Sequence, residues 1–114
     1  MALSGQAKTL AGPAYLSNSA ANIYNQSSAL LYTNIKQIHL ANVTAGAVTF
    51  TLYIGATGGS AGGTEIAKGV SIPANSNLDL FFQNLKVLST DFLTGLASAA
   101  TSITVVVLGE QVVV

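Results

Sequence analysis

One histidine, His39, and four acids, Glu65, Asp79, Asp91 and Glu110, are the side chains of this chain suited to acid–base or metal chemistry. They are far apart in sequence. A zinc site takes three or four protein ligands, which His39 with scattered carboxylates does not supply. General acid–base work needs groups that converge on one point. The pair to weigh is Asp79 with Glu65, but nothing in their spacing requires them to meet. Solvated acids on strand faces, which discourage edge pairing, are the simpler reading. The chain has no cysteine, so disulfides, thiolate nucleophiles and Cys-based metal sites are excluded.

Other signals fail on context. Residues 58–64 read G-x-x-x-x-G-T, one lysine short of a phosphate-binding loop. A strand precedes them, but no helix follows to present backbone amides. The sequons NQS at Asn25 and NVT at Asn42 read as chance in a chain rich in Asn, Ser and Thr. Phosphate recognition leans on arginine and on basic clusters. There is no arginine, and Lys8, Lys36, Lys68 and Lys86 stand singly, which argues against a nucleic-acid partner. Sugar stacking favours tryptophan, which is absent, and Tyr15, Tyr24, Tyr32 and Tyr53 are dispersed. No catalytic, cofactor-binding or metal-binding residue is assigned.

The elements that would position any site are strands. Residues 47–54 (AVTFTLYI) alternate Val48, Phe50, Leu52 and Ile54 with smaller or polar partners, a half-buried strand. Residues 35–42 (IKQIHLAN) form another, with Ile38 and Leu40 on one face and His39 on the opposite one. The link 43–46 (VTAG) predicts a central antiparallel hairpin between them. The glycine-rich loop 55–63 follows it. Shorter strands are expected at 14–16, 22–24, 29–32, 64–68, 70–72, 78–82, 86–88, 92–97 and 102–108. PANSN at 73–77 is a turn, and 89–92 (STDF) suits one helical turn capped by Ser89. No sustained 3.6-residue period appears. The reading is all-β: one antiparallel, jelly-roll-like β-sandwich of about eight short strands. It covers residues 1–114, with 1–13 as an extended N-terminal arm.

Composition says how such a domain would live. Half the residues are hydrophobic and 7% charged, against about 25% charged in ordinary soluble domains. Net charge is zero, which offers little repulsion between copies. The longest apolar run, around 103–108, is far short of the ~20 residues of a membrane helix. The opening MALSGQAKTLAG lacks the basic and apolar regions of a secretory signal, so a cytoplasmic product is expected. The last strand is apolar on both sides: Ile103, Val105 and Val107 on one, Val106 and Leu108 beside Thr104 on the other. A strand apolar on both faces must be covered on both. Val106, Leu108, Val112, Val113 and Val114 are therefore candidate subunit contacts. The alternative is that 106–114 packs under the chain's own N-terminal arm.

The segment IKQIHLANVTAGAVTFTLYIGATGGSAGGTEIAKGVSIPANSNLDLFF, at 35–82, resembles small β-sandwich structural proteins of tailed bacteriophages. The "IHLAN" strand, the Thr-rich "TLYIG" strand, the glycine loop and the "IPANS" turn carry the likeness. STDFLTGLAS at 89–98 and the pair Gly109-Glu110 extend it over about residues 29–110. The resemblance implies a virion component without an active site: a capsid decoration (cement) protein, or a neck, tail or fibre accessory. Its expected partners are itself, with a trimer favoured, and virion proteins such as the major capsid protein. A displayed glycan- or receptor-binding module is the alternative from another class.

Overall fold

Alternation of apolar and polar side chains does place the chain in strands, and the computed structural model shows how they stack. It describes residues 6–25, 31–55, 63–88 and 91–113. The strands are β1 (Gln6–Tyr15), β2 (Ala21–Asn25), β3 (Leu31–Asn42), β4 (Val48–Gly55), β5 (Glu65–Ile72), β6 (Asn77–Val87), β7 (Phe92–Ala97) and β8 (Ile103–Val113). Sheet A has the order β1-β8-β3-β6 and sheet B the order β2-β7-β4-β5, with every pairing antiparallel. Two four-stranded sheets wound in this order are a jelly roll. The inner faces meet in a core that includes Ile35, Ile38, Leu40, Phe50, Leu52 and Val107, all fully buried.

The expected central hairpin is not one. β3 lies in sheet A and β4 in sheet B, so residues 43–47 form an arch between the layers. Ile38 and Leu40 face Phe50 and Leu52 across the core instead of lying beside them. Asn42 makes the arch possible. Its side chain, 2% exposed, turns inward and donates from Nδ2 to the carbonyls of Gly46 (2.8 Å), Ile72 (3.0 Å) and Pro73 (3.2 Å). Its Oδ1 accepts from Thr44 N (2.9 Å) and Thr44 Oγ1 (2.7 Å). Asn42 is thus a structural pin, and its amide is already committed. The neighbouring turn has Asn75 at φ 54°, a backbone angle asparagine tolerates. Among the described residues, the one sequence-adjacent pair within a sheet is β4–β5. The glycine-rich segment therefore joins that pair instead of following a hairpin, and its residues 56–62 lie outside the described residues.

The strands are also longer than expected. β3 has 12 residues and β6 and β8 have 11 each, because bulges continue strands where strict alternation breaks. In β3 the register shifts between Ile35 and Gln37 against both neighbours. The extra residue, Lys36, lets Ile35 and Ile38 both point into the core. Gly109 lies opposite: a Cβ there would collide with the carbonyl oxygen of Asn34 and come within 3.0 Å of Ile35 Cα. In β5, Gly69 at φ 59° absorbs a similar irregularity, its N–H donating to Thr51 Oγ1 at 3.0 Å.

From Gln6 onward the expected arm is an edge strand, paired with β8 from Gln6–Gln111 to Tyr15–Thr104. β8 has β3 on its other side, so both of its edges are filled. One end of the sandwich is closed by Tyr24 Oη, 2.8 Å from Thr33 Oγ1 and accepting from Gln111 Nε2 at 2.9 Å. Of the 89–92 turn, Asp91 accepts from Leu88 N at 3.3 Å and Phe92 opens β7. Ser89 lies outside the described residues.

Candidate interaction surface

Strand parity decides which side chains leave the core. Inward-facing Ile38, Leu40, Val105 and Val107 send Gln37, His39, Val106 and Leu108 to the outer face of sheet A. On β6, inward Leu78 and Leu80 send Asp79 and Phe81 the same way. The register then builds two rows across the sheet: Phe81–Gln37–Leu108–Thr9 and Asp79–His39–Val106. Phe81 is 73% exposed, the largest value among the exposed large hydrophobics described, and Tyr15 at the far edge is 55% exposed.

Several polar groups of this face are matched within it. His39 Nδ1 lies 2.5 Å from Asp79 Oδ1, which also accepts from Gln37 Nε2 at 2.9 Å. These bonds, His39 first, hold the Asp79 carboxyl below its ordinary value against a smaller opposing effect of burial. Lys36 Nζ is 3.8 Å from Glu110 Oε1, and Lys86 Nζ sits 4.5 Å above the Tyr32 ring. Such exposed pairs add little stability, but each of these groups has a local partner within the face. Asn34 Oδ1, beside this cluster, is buried and has no hydrogen-bond partner among the described residues.

Among the candidate contacts, Val106 and Leu108 stand half-buried on this face with Val112 further along it, opposite Tyr32. Val113 pairs with Leu31 at the strand end. Val114 lies outside the described residues. Phe81, Gln37 and Asp79 were not foreseen as members of the surface. The signal was available in LDLFF: if Leu78, Leu80 and Phe82 face inward, Asp79 and Phe81 must face out.

The weighed acid pair does not form. Asp79 is in sheet A, while Glu65 is in sheet B, where its carboxylate accepts from Gly63 N at 2.8 Å and is held below its ordinary value by backbone bonds. Among the described residues, no three of His, Asp or Glu gather where a metal could bind. The segment after the glycine-rich loop is strand β5, not a helix. Tyr24 and Tyr53 are buried, so the tyrosines form no common platform.

A two-sheet antiparallel jelly roll is the class that the fold defines. No family model matches the chain, and no curated protein matches it in sequence. Among solved structures it is similar to a protein of Bacillus endospore appendages, described as a novel family of disulfide-linked pili. That overlay has 19% identity and a TM-score of 0.53, over 97% of this chain and 89% of the other. It is also similar to the coat protein of Tobacco streak virus, at 10% identity and a TM-score of 0.50, over 96% of this chain and 84% of the other. At these identities the likeness establishes the jelly-roll architecture.

Proposed function

We propose that this chain is a non-enzymatic structural subunit of a bacteriophage virion, a capsid decoration protein that strengthens the head through repeated contacts. The observation that carries the reading is the outer face of sheet A. Its half-buried Val106 and Leu108 and exposed Phe81 lie in rows whose carboxylate, Asp79, is hydrogen-bonded within the face by His39 and Gln37. Such a face can be covered by a neighbour with the Asp79 carboxylate already hydrogen-bonded, which reduces the cost of taking it out of water. β8 then has the core on one side and a partner on the other, as its two-sided apolar pattern asks. Its partners are the major capsid protein and further copies of itself, a trimer matching local three-fold positions. Many weak contacts over a shell sum to tight attachment. The phage resemblance of residues 29–110 supports the same assignment.

Pelleting capsids that lack the chain together with purified chain tests this. Saturable binding at a fixed number of copies per capsid is expected; no binding to any phage head would remove the assignment. The pilus overlay favours a second reading, a filament subunit. This chain has no cysteine, so a filament built from it would be held by packing and not by disulfide links.

A further inference from the structure

Beside the open edge of the sandwich, where β1 of sheet A passes β2 of sheet B, lies a cleft of about 130 Å³. Its walls are hollow for a sequence reason: Ala11, Gly12, Ala14, Ala21 and Gly95 stand where larger side chains would fill it. Gly12 is required there. Its φ is 82°, and a Cβ would strike the carbonyl oxygen of Val105. No charged residue lines the cleft. An apolar cavity of about 150 Å³ accepts a benzene ring, so this one is of a size to take one aromatic side chain.

Phe81, 73% exposed, is a ring of that kind. It stands on β6, the opposite edge of sheet A. β8 and β3 lie between, a separation of roughly 14 Å at usual strand spacing, so Phe81 cannot fill the cleft of its own chain. We infer that Phe81 of one copy seats in the β1–β2 cleft of the next. The inference rests on the self-association in the proposed function and names its contact.

Knob and socket occupy different surfaces, so the contact is head-to-tail. Such contacts close into rings or run on as filaments. The socket lining carries no charge, and the net charge of zero imposes no repulsion between copies. One aromatic side chain buries about 150–250 Å², against the 1,200 Å² or more of a stable specific pair. The contact is therefore weak between two copies in dilute solution. It becomes populated at high protein concentration, when a ring closes, or when copies are held side by side on a particle.

The experiment is light scattering of the purified chain over a concentration series, with three variants. Phe81→Ala removes the knob. Ala21→Phe and, independently, Ala14→Leu plug the socket; both positions are exposed on edge strands, and melting curves verify folding. Each variant alone should self-associate roughly ten- to hundredfold more weakly than wild type. A mixture of Phe81→Ala, which keeps its socket, with Ala21→Phe, which keeps its knob, should form 1:1 heterodimers and nothing larger. Folded variants that associate as wild type does would overturn this contact and leave the assembly reading standing. Wild type that stays monomeric at every concentration and on capsids would remove both.

Discussion

Replacing Asn42 with alanine should loosen the whole sandwich, because one side chain ties the β3–β4 arch to the end of β5. The amide's two protons serve the carbonyls of Gly46, Ile72 and Pro73, and Oδ1 accepts two bonds from Thr44. A net hydrogen bond contributes about 1 kcal/mol, and a buried acceptor left unpaired costs about 1–3 kcal/mol. Gly46 is exposed and its carbonyl still has Thr44 Oγ1 at 3.0 Å, so its share is small. Ile72 is fully buried, so its carbonyl carries most of the penalty. The expected loss is about 3 kcal/mol, a large part of the ~5–15 kcal/mol available to a domain. At about 4 °C per kcal/mol for this size, Tm should fall by roughly 12 °C. Thermal unfolding followed by circular dichroism measures it. Thr44→Val, which removes the hydroxyl but leaves the Asn42 amide in place, should cost only about 1 kcal/mol. An Asn42→Ala protein melting within roughly 2 °C of wild type would refute the pin.

The other predictions concern the bulge, the core and the acid limb of stability. Gly109→Val should prevent the β3–β8 bulge from closing and yield little folded protein in expression trials, whereas Gly46→Ala, with open space around it, should behave as wild type. Phe50→Ala empties a fully buried site between the sheets and should cost about 3–5 kcal/mol in urea unfolding. Asp79 has a lowered pKa in the fold. It therefore stabilises the fold above its unfolded value near 3.9, and that contribution is lost as pH falls through the lower folded value. Asp79→Asn should flatten the decline of Tm below about pH 4; an unchanged acid limb would mean the His39 and Gln37 bonds do not form in solution.

The sandwich was legible because Val48, Phe50 and Leu52 keep an unbroken period of two in β4 and because turn residues punctuate the chain. β7 is found at the expected residues 92–97. What misled was continuity. Gly69 in β5 is an irregular position that splits one strand into the apparent pair 64–68 and 70–72, while β3 is split at the polar Thr33 and Asn34 into 29–32 and 35–42, just ahead of its bulge at Lys36. Pairing was illegible for a different reason: a four-residue link such as VTAG serves a hairpin and an inter-sheet arch equally well. The inward turn of Asn42, a tertiary contact with residues 30 and 31 positions away, decides between them. The same wrong pairing conceals the His39–Asp79 contact, since it gives β3 a neighbour in β4 where the fold places β6. The apolar outer face of the last strand was visible at Val106 and Leu108. Its completion by Phe81 required the register of β6 against β3.

The most direct test of the account is capsid binding by chains charged on one sheet or the other. Val106→Asp with Leu108→Asp places two carboxylates in the outer face of sheet A, and Ser71→Asp places one on an exposed position of sheet B. All should melt within a few degrees of wild type, roughly the range of surface substitutions. The account predicts that the sheet A variant no longer pellets with capsids while the Ser71 variant saturates them as wild type does. Undiminished binding by the sheet A variant, or loss confined to Ser71→Asp, would contradict it.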